Sequence, residues 1–341
     1  MTEKWWHRWC LRPDELSRLG VVGINARNGR YLLPNNSRKF YRTVDDKVMT
    51  KKLSLEMDIP VPELYGTIDS PGGLKRIGEL VENKEAFVIK PARGSGGKGV
   101  LVIQGRSGDA FLKGSGSSLT MEEIRFHVSN ILGGLFSLGG QRDVAMVEQY
   151  ISCADEVMAM SYRGAPDVRV VMLHGYPVMA MLRVATKESD GRANLHQGAI
   201  GIGIDLETGI TQHAVCHGQS IEVHPDLGTP LLGQQIPEWE TVLKLAGLCY
   251  EMTHLGYLGA DIMIGKEAGP MIIEVNARPG LAIQLANGEG LRNRFQLVED
   301  EAERMQKTAS LEERIDFSRE VLPRRAAEER KQRSEKASEV E

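Results

Sequence analysis

Gly259-Ala-Asp261-Ile-Met-Ile264 and Met271-Ile-Ile-Glu274-Val-Asn276-Ala-Arg278-Pro-Gly280 decide how this chain is read. Leu258–Ile264 and Met271–Asn276 are apolar runs of strand length, joined through Gly265, Gly269 and Pro270. That pattern predicts a hairpin. Glu274 and Asn276 lie two apart, so both side chains point to one face of their strand. With Asp261 on the neighbouring strand, three oxygen donors converge, with no histidine or thiol among them. This ligand set suits Mg²⁺ bound together with phosphate groups. Two carboxylates among Ile262, Ile264, Ile272, Ile273 and Val275 would be costly to bury without a cation. The plain alternative is a solvated strand face, since Glu-x-Asn alone is common.

Working outward, Ile89-Lys90-Pro91-Ala-Arg-Gly94-Ser95-Gly96-Gly97-Lys98-Gly99 places a lysine at the end of an apolar strand, before a loop with four glycines. Lys90 is then positioned to reach phosphates from the sheet, and the loop can fold over them with its N–H groups exposed. Residues 94–99 also satisfy G-x-G-x-x-G. A dinucleotide fold requires a helix next, however, and the apolar run Val100–Ile103 predicts a strand. Lys98 is followed by glycine and not by Ser or Thr, which excludes a Walker A loop. The catalytic motifs of protein kinases are absent. A third segment, Val147-Glu148-Gln149-Tyr150-Ile151, reads as a strand edge that can meet adenine through its backbone, with an acidic side chain for the amino group.

In this order the segments resemble the ATP-grasp superfamily, nearest to its RimK-like branch of α-L-glutamate ligases. The resemblance runs from Asp46-Lys47 through Ile59-Pro-Val-Pro62, the glycine loop and Val147–Ile151. It continues through Asp167-Val-Arg169, Arg183 and Gly191-Arg-Ala-Asn194-Leu-His-Gln-Gly198 to the closing hairpin. It implies an α+β fold in which two subdomains clasp ATP between them. The expected division is a short amino-terminal region at 1–45, a first subdomain with the glycine loop at 46–145 and a second with the metal site at 146–298. A charged, helical and partly disordered tail would fill 299–341.

The resemblance also implies roles. Lys47, Lys90 and the loop Gly94, Ser95, Gly96, Gly97 and Lys98 would contact ATP phosphates. Glu148, Gln149, Tyr150 and Ile151 would meet the purine, and Asp167 the ribose, with Glu156 as a rival for that role. Asp261, Glu274 and Asn276 would hold two Mg²⁺ ions, with Mn²⁺ as a substitute. Arg183, Arg192 and Asn194 would face the transferred phosphate and the carboxylate. Arg278 is either a further anion contact or a surface salt bridge. The implied activity is ATP-dependent carboxylate–amine ligation through an acyl phosphate, adding an amino acid such as glutamate to a peptide, protein or small molecule. A phosphotransferase, or a nucleotide-binding scaffold acting with a partner, is the alternative.

The rest of the chain sets bounds. Its 341 residues suffice for one large domain or two to three interlocked ones. A net charge of −4 gives no bulk attraction to nucleic acid, and no partner of that kind is expected. Apolar runs fall short of the roughly 18 residues that span a bilayer, and no signal-type stretch opens the chain, so a cytoplasmic protein is expected. Cys10, Cys153, Cys216 and Cys249 are scattered and read as free thiols. His213 and His217 flank Cys216 without a second cluster, which favours a structural role over a metal site.

Local signals place further elements. Asp45 and Asp46 precede a helix running to about Asp58, and Thr120-Met-Glu-Glu123 fits a capping box. Pro237 and Gly256 bracket a long amphipathic helix. Gly23, Asn25, Asn28, Gly29, Pro34 and Asn35 read as turns, and Gly105–Ser118 as a mobile insert. Trp5, Trp6 and Trp9 read either as packing residues or as a contact with a membrane or partner. Only 45 residues precede Asp46, so part of the substrate site could come from a partner or from a second subunit of a homo-oligomer.

Overall fold

The computed structural model describes residue 16 and residues 19–94 and 96–338. The tryptophan cluster, Cys10 and Ser95 lie outside the described residues. Two antiparallel sheets organise the chain, as the hairpin-rich sequence requires. The first has six strands: β1 (Leu64–Ile68), β2 (Phe87–Pro91), β3 (Leu101–Ser107), β4 (Ala110–Lys113), β5 (Ser118–Leu119) and β6 (Ala145–Gln149). Their order is β1-β6-β2-β3-β4-β5, so β6 returns to fill the gap between β1 and β2.

The second sheet has seven: β7 (Asp167–Leu173), β8 (Tyr176–Val184), β9 (Ile200–Ile204), β10 (Thr211–Cys216), β11 (Gln219–Ser220), β12 (Tyr257–Gly265) and β13 (Gly269–Asn276). Their order is β11-β10-β9-β8-β7-β12-β13. The fold is α+β with two sheets, as expected.

Helices close each sheet on one side. α1 (Lys47–Glu56) is capped by Asp46, whose side chain accepts from the Val48 and Met49 amides. α2 (Arg76–Val81) and α3 (Met121–Leu132) cover the first sheet, burying Ile77, Val81, Ile124, Val128 and Ile131 against Phe87, Ile89 and Ile103. The capping box at Thr120 forms as its sequence requires. α4 (Trp239–Thr253) packs on the second sheet, with Val242, Leu243, Ala246 and Cys249 in its core. α5 (Ile283–Asn287), α6 (Arg292–Arg304) and α7 (Leu311–Ser338) follow. Among the described residues no helix is long and apolar enough to cross a membrane.

Three expectations change. Residues 24–35 form consecutive helical turns, including a π-helical stretch at Arg27–Leu32. Tyr31 and Leu32 are buried there, so packing overrides the turn preference of glycine and asparagine. The glycine- and serine-rich stretch 105–118 is not a separate insert, because β3, β4 and β5 carry it as an extension of the first sheet. The subdomain boundary at 145/146 cuts through β6, which belongs to the first sheet through Gln149. The tail beyond 299, expected as a charged helix, is docked as far as Leu322. Ile315 and Leu322 are buried, and Arg314 donates to Gly175 O and Ala309 O.

α1 joins the two sheets. The Lys47 amide donates to Ala92 O, just past β2. Ser54 Oγ, on the same helix, lies 3.2 Å from Met252 Sδ on α4. The Ile272 amide on β13 donates to Pro60 O. A narrow cleft follows, lined by Lys47, Thr50, Lys51, Lys90 and Glu274 among others.

Candidate active site

Two charged clusters face the junction of the sheets. The first is built on α1, β2 and β6. Lys47 and Lys51 are one helical turn apart and so share a face. Val88 pairs with Glu148, which puts Lys90 and Glu148 on one side of the sheet as diagonal neighbours. Lys90 Nζ lies 2.5 Å from Glu148 Oε1, and Lys51 Nζ lies 2.5 Å from Glu148 Oε2. Lys51 also donates to Pro62 O at 2.5 Å. All three side chains are buried. Burial pushes the Glu148 carboxyl up, yet Lys90 and then Lys51 outweigh it and hold it below its ordinary range. Two ammonium groups share one carboxylate, so the cluster keeps a surplus positive charge.

The second cluster lies across β7, β8, β12 and β13. Register aligns Asp167 with Arg183, and Arg169 with Asp261, which in turn faces Glu274. Arg169 forks onto Asp261 at 2.7 and 2.6 Å. Arg183 forks onto Asp167, with its Nε 2.9 Å from Oδ1, and reaches Asp261 Oδ2 at 2.8 Å. Asn276 Nδ2 donates to Asp261 Oδ2 at 3.2 Å. Two guanidinium groups balance two carboxylates. Burial pushes Asp261 up, but Arg169 and Arg183 hold it below its ordinary value. For Asp167, burial wins and its pKa is raised.

Lys47 connects the clusters. Its ammonium donates to Gly94 O at 2.7 Å and lies 3.0 Å from Glu274 Oε1. The glycine loop is thereby tied to the strand that carries Glu274. Beyond Gly94 the loop turns through Gly96 and Gly97, both at positive φ, where an added Cβ would be strained although it would meet nothing. At Gly99 a Cβ would sit 2.5 Å from the Phe136 ring, and His127 Nε2 lies 2.9 Å from Gly99 O.

A glycine loop, a lysine-lined cleft and an acid-and-amide hairpin thus meet between two antiparallel sheets. Residues 26–300 match the family described as sugar-transfer associated ATP-grasp. The chain belongs to that ATP-grasp family. None of the curated proteins matches it. Among solved structures, D-cycloserine synthetase DcsG is similar at 14% identity, covering 79% of this chain and 73% of that one, with a TM-score of 0.46. The D-alanine–D-alanine ligase of Bacillus anthracis is similar at 15% identity, covering 80% and 71%, with a TM-score of 0.44. The ATP-grasp ligase PsnB with its minimal precursor is similar at 14% identity, with a TM-score of 0.42; the match covers 76% of this chain and 60% of PsnB.

Within this ATP-grasp chain the expected residues divide. Lys47, Lys90, Glu148, Asp167, Arg183, Asp261, Glu274 and Asn276 fall in the two clusters or at their junction. Glu148 is turned onto two lysines, and Asp167 onto Arg183. Gln149 Oε1 accepts from the Glu63 amide, and the Tyr150 hydroxyl accepts from Gln104 Nε2. Ile151 is buried; Lys98 and Glu156 are exposed. Asn194 accepts from the His196 amide, and Arg192 is exposed. Among the described residues neither makes a hydrogen bond or ion pair to the clusters. Arg278 has no ion pair among the described residues and lies over the Tyr41 ring, 4.7 Å from its centre. His213 binds Ala286 O and Ser220 Oγ, and His217 binds Glu188, so the two histidines have different partners. Burial pushes the Cys153 thiol up to about 12, which leaves no nucleophile there at neutral pH.

Sequence reasoning missed Lys51 and named Arg169 in a motif without giving it a role. The i,i+4 spacing from Lys47 was the available signal for Lys51, and the Asp-x-Arg spacing for Arg169.

The donor set fits a hard cation shared with phosphates. Glu274 and the Asn276 carbonyl oxygen are the available donors, since both Asp261 oxygens already carry guanidinium hydrogen bonds. Among the described residues no three His, Cys, Asp or Glu side chains could hold a metal by themselves. Mg²⁺ characteristically takes one or two carboxylates and completes its shell with water and phosphate.

Proposed function

We propose that this chain is an ATP-dependent, ADP-forming carboxylate–amine ligase that works through an acyl phosphate. The observation that carries the reading is the double contact of Lys47, which ties the glycine loop to Glu274 across the sheet junction. Phosphates bound there would meet lysines from one sheet and the acid-and-amide hairpin from the other. Lys47 and Lys90 would neutralise the phosphate chain, and the loop amides would add donors. By this reading the backbone of Tyr150 and Ile151 would meet the purine, the Gln149 amide being taken by Glu63 O, and Asp167 or Glu156 would meet the ribose. Glu274 and Asn276 would hold Mg²⁺, one ion or two, which supplies charge neutralisation at the transferred phosphoryl group, and Asp261 would join them only by releasing an arginine.

In the reaction a carboxylate oxygen of the substrate attacks the γ-phosphorus and ADP leaves. An amine nitrogen then attacks the acyl carbon, phosphate leaves, and the amine gives up a proton. Catalysis is by positioning and electrostatics, with no covalent enzyme intermediate. Arg183, Arg192, Asn194 and Arg278 are candidates for the substrate side. Amino-acid transfer of the α-L-glutamate ligase kind is one substrate pair. The family's association with sugar transfer adds carboxylates and amines carried on saccharides.

The test is ADP and phosphate release from Mg-ATP across pools of amino acids, short peptides, amino sugars and uronic acids, with Glu274→Ala as control. Release that needs both a carboxylate and an amine, and that is lost in the variant, supports the ligase. ADP release with a stable phosphorylated product and no free phosphate would replace it with a phosphotransferase. Tight nucleotide binding without turnover in any pool would point to a scaffold role.

A further inference from the structure

Lys51 has no part in the roles above, yet it is as deeply buried as Lys90. A buried lysine normally requires a partner of its own. Here the partner is shared, because Glu148 offers one oxygen to each ammonium at 2.5 Å. If Lys90 turns to a phosphate, it must release Glu148. Were Lys90 the sole partner, that move would leave a buried carboxylate uncompensated, a strongly unfavourable change. Lys51 removes the obstacle. Pro62 O gives its ammonium a second, fixed acceptor. Its helix is anchored by the Asp46 cap and by Thr50 Oγ1 donating to Thr43 O at 2.7 Å. Lys51 thus has anchors that do not depend on Lys90.

We propose that Lys51 is a positioning residue: it holds Glu148 so that Lys90 is free to engage the phosphate chain of a nucleotide. Lys51 acts through Glu148 and makes no phosphate contact itself. The proposal rests on the nucleotide reading of the preceding section.

Charge bookkeeping separates this role from a direct contact. The native cluster has one surplus positive charge. Lys51→Met leaves Lys90 and Glu148 as a closed, neutral pair. Lys51→Met combined with Glu148→Gln restores the surplus and leaves Lys90 unpaired. The experiment is calorimetric titration of the full chain with ATP and with inorganic tripolyphosphate, which reports on the phosphate contacts without the base. Thermal melts accompany each variant.

Lys51→Met is expected to weaken both probes about tenfold, the scale of one lost charge-assisted contact. The double variant is expected to bind tripolyphosphate within about threefold of the native protein, a margin of under one lost contact. A double variant no better than Lys51→Met, or a Lys51→Met protein that binds like the native one, overturns the proposal. If Lys51→Met alone does not fold, the double variant decides: native-like tripolyphosphate binding supports the role and lost binding overturns it. Native protein that binds neither probe overturns the nucleotide reading together with this one, whereas native binding with an unrescued double variant overturns this one alone.

Discussion

The lysine cluster of the first sheet and the arginine cluster of the second use the same elements, buried cations on buried carboxylates, to different ends. In the first, two point-like ammonium groups share Glu148 and a positive charge is left over. In the second, two planar guanidiniums fork onto Asp167 and Asp261, and the charge is balanced. Arginine forks fix geometry, while a lysine is a mobile charge that can change partners. By the proposed reading the first cluster would receive an anion, and the second would seat the strands beside Glu274 and Asn276. Lys47 spans the gap between them.

Substitutions sharpen that contrast. The largest loss of stability is expected for Arg183→Leu, which strands the buried Asp167 and takes one of two arginines from Asp261; it should cost about 3–5 kcal/mol, read as a fall in the denaturant midpoint. Lys90→Met should spare the fold far better, because Lys51 still holds Glu148. Its expected effect is on ATP affinity, a loss of about tenfold or more by calorimetry. A Lys90→Met protein as destabilised as Arg183→Leu would break the distinction.

Acid should act on the two clusters unequally. Glu148 has a folded pKa below its ordinary 4.5. Its contribution to stability is thus complete above the unfolded value and is lost as pH falls through the lower, folded value. In the arginine cluster Asp261 behaves likewise, but Asp167 has a raised pKa and works in the opposite sense. Glu148→Gln should flatten the acid limb of a melting-temperature profile more than Asp167→Asn does; equal flattening would contradict the comparison. The smallest effect is expected at Arg278, whose stacking on Tyr41 at the surface is worth about 0.5–1 kcal/mol. Arg278→Ala should leave the melt nearly unchanged and show itself only in the KM of an anionic substrate.

Much of this architecture is legible in the sequence because it is local. The Asp46 cap, the capping box at Thr120, the hairpin around Gly265–Gly269 and the apolar strand ending at Lys90 each follow from spacing and turn chemistry. The roles that eluded sequence reasoning depend on contacts far along the chain. Lys51 gains its meaning from Glu148, and Arg169 from Asp261, 97 and 92 residues away. The helical turns at 24–35 are hidden by glycine, asparagine and proline, since their stability comes from burying Tyr31 against Phe295, with ring centres 4.3 Å apart. The glycines of β3 and the following turns hid a sheet extension in the same way.

The most direct measurement is calorimetric titration of the full chain with ATP, with and without Mg²⁺, for the native protein, Lys90→Met and Glu274→Ala. The account predicts saturable, Mg²⁺-strengthened binding to the native protein. Lys90→Met should weaken binding whether or not Mg²⁺ is present, and Glu274→Ala should abolish only the Mg²⁺-dependent gain. Absence of ATP binding by the folded native protein, or binding that neither substitution alters, would contradict the claim that the two clusters form one nucleotide site.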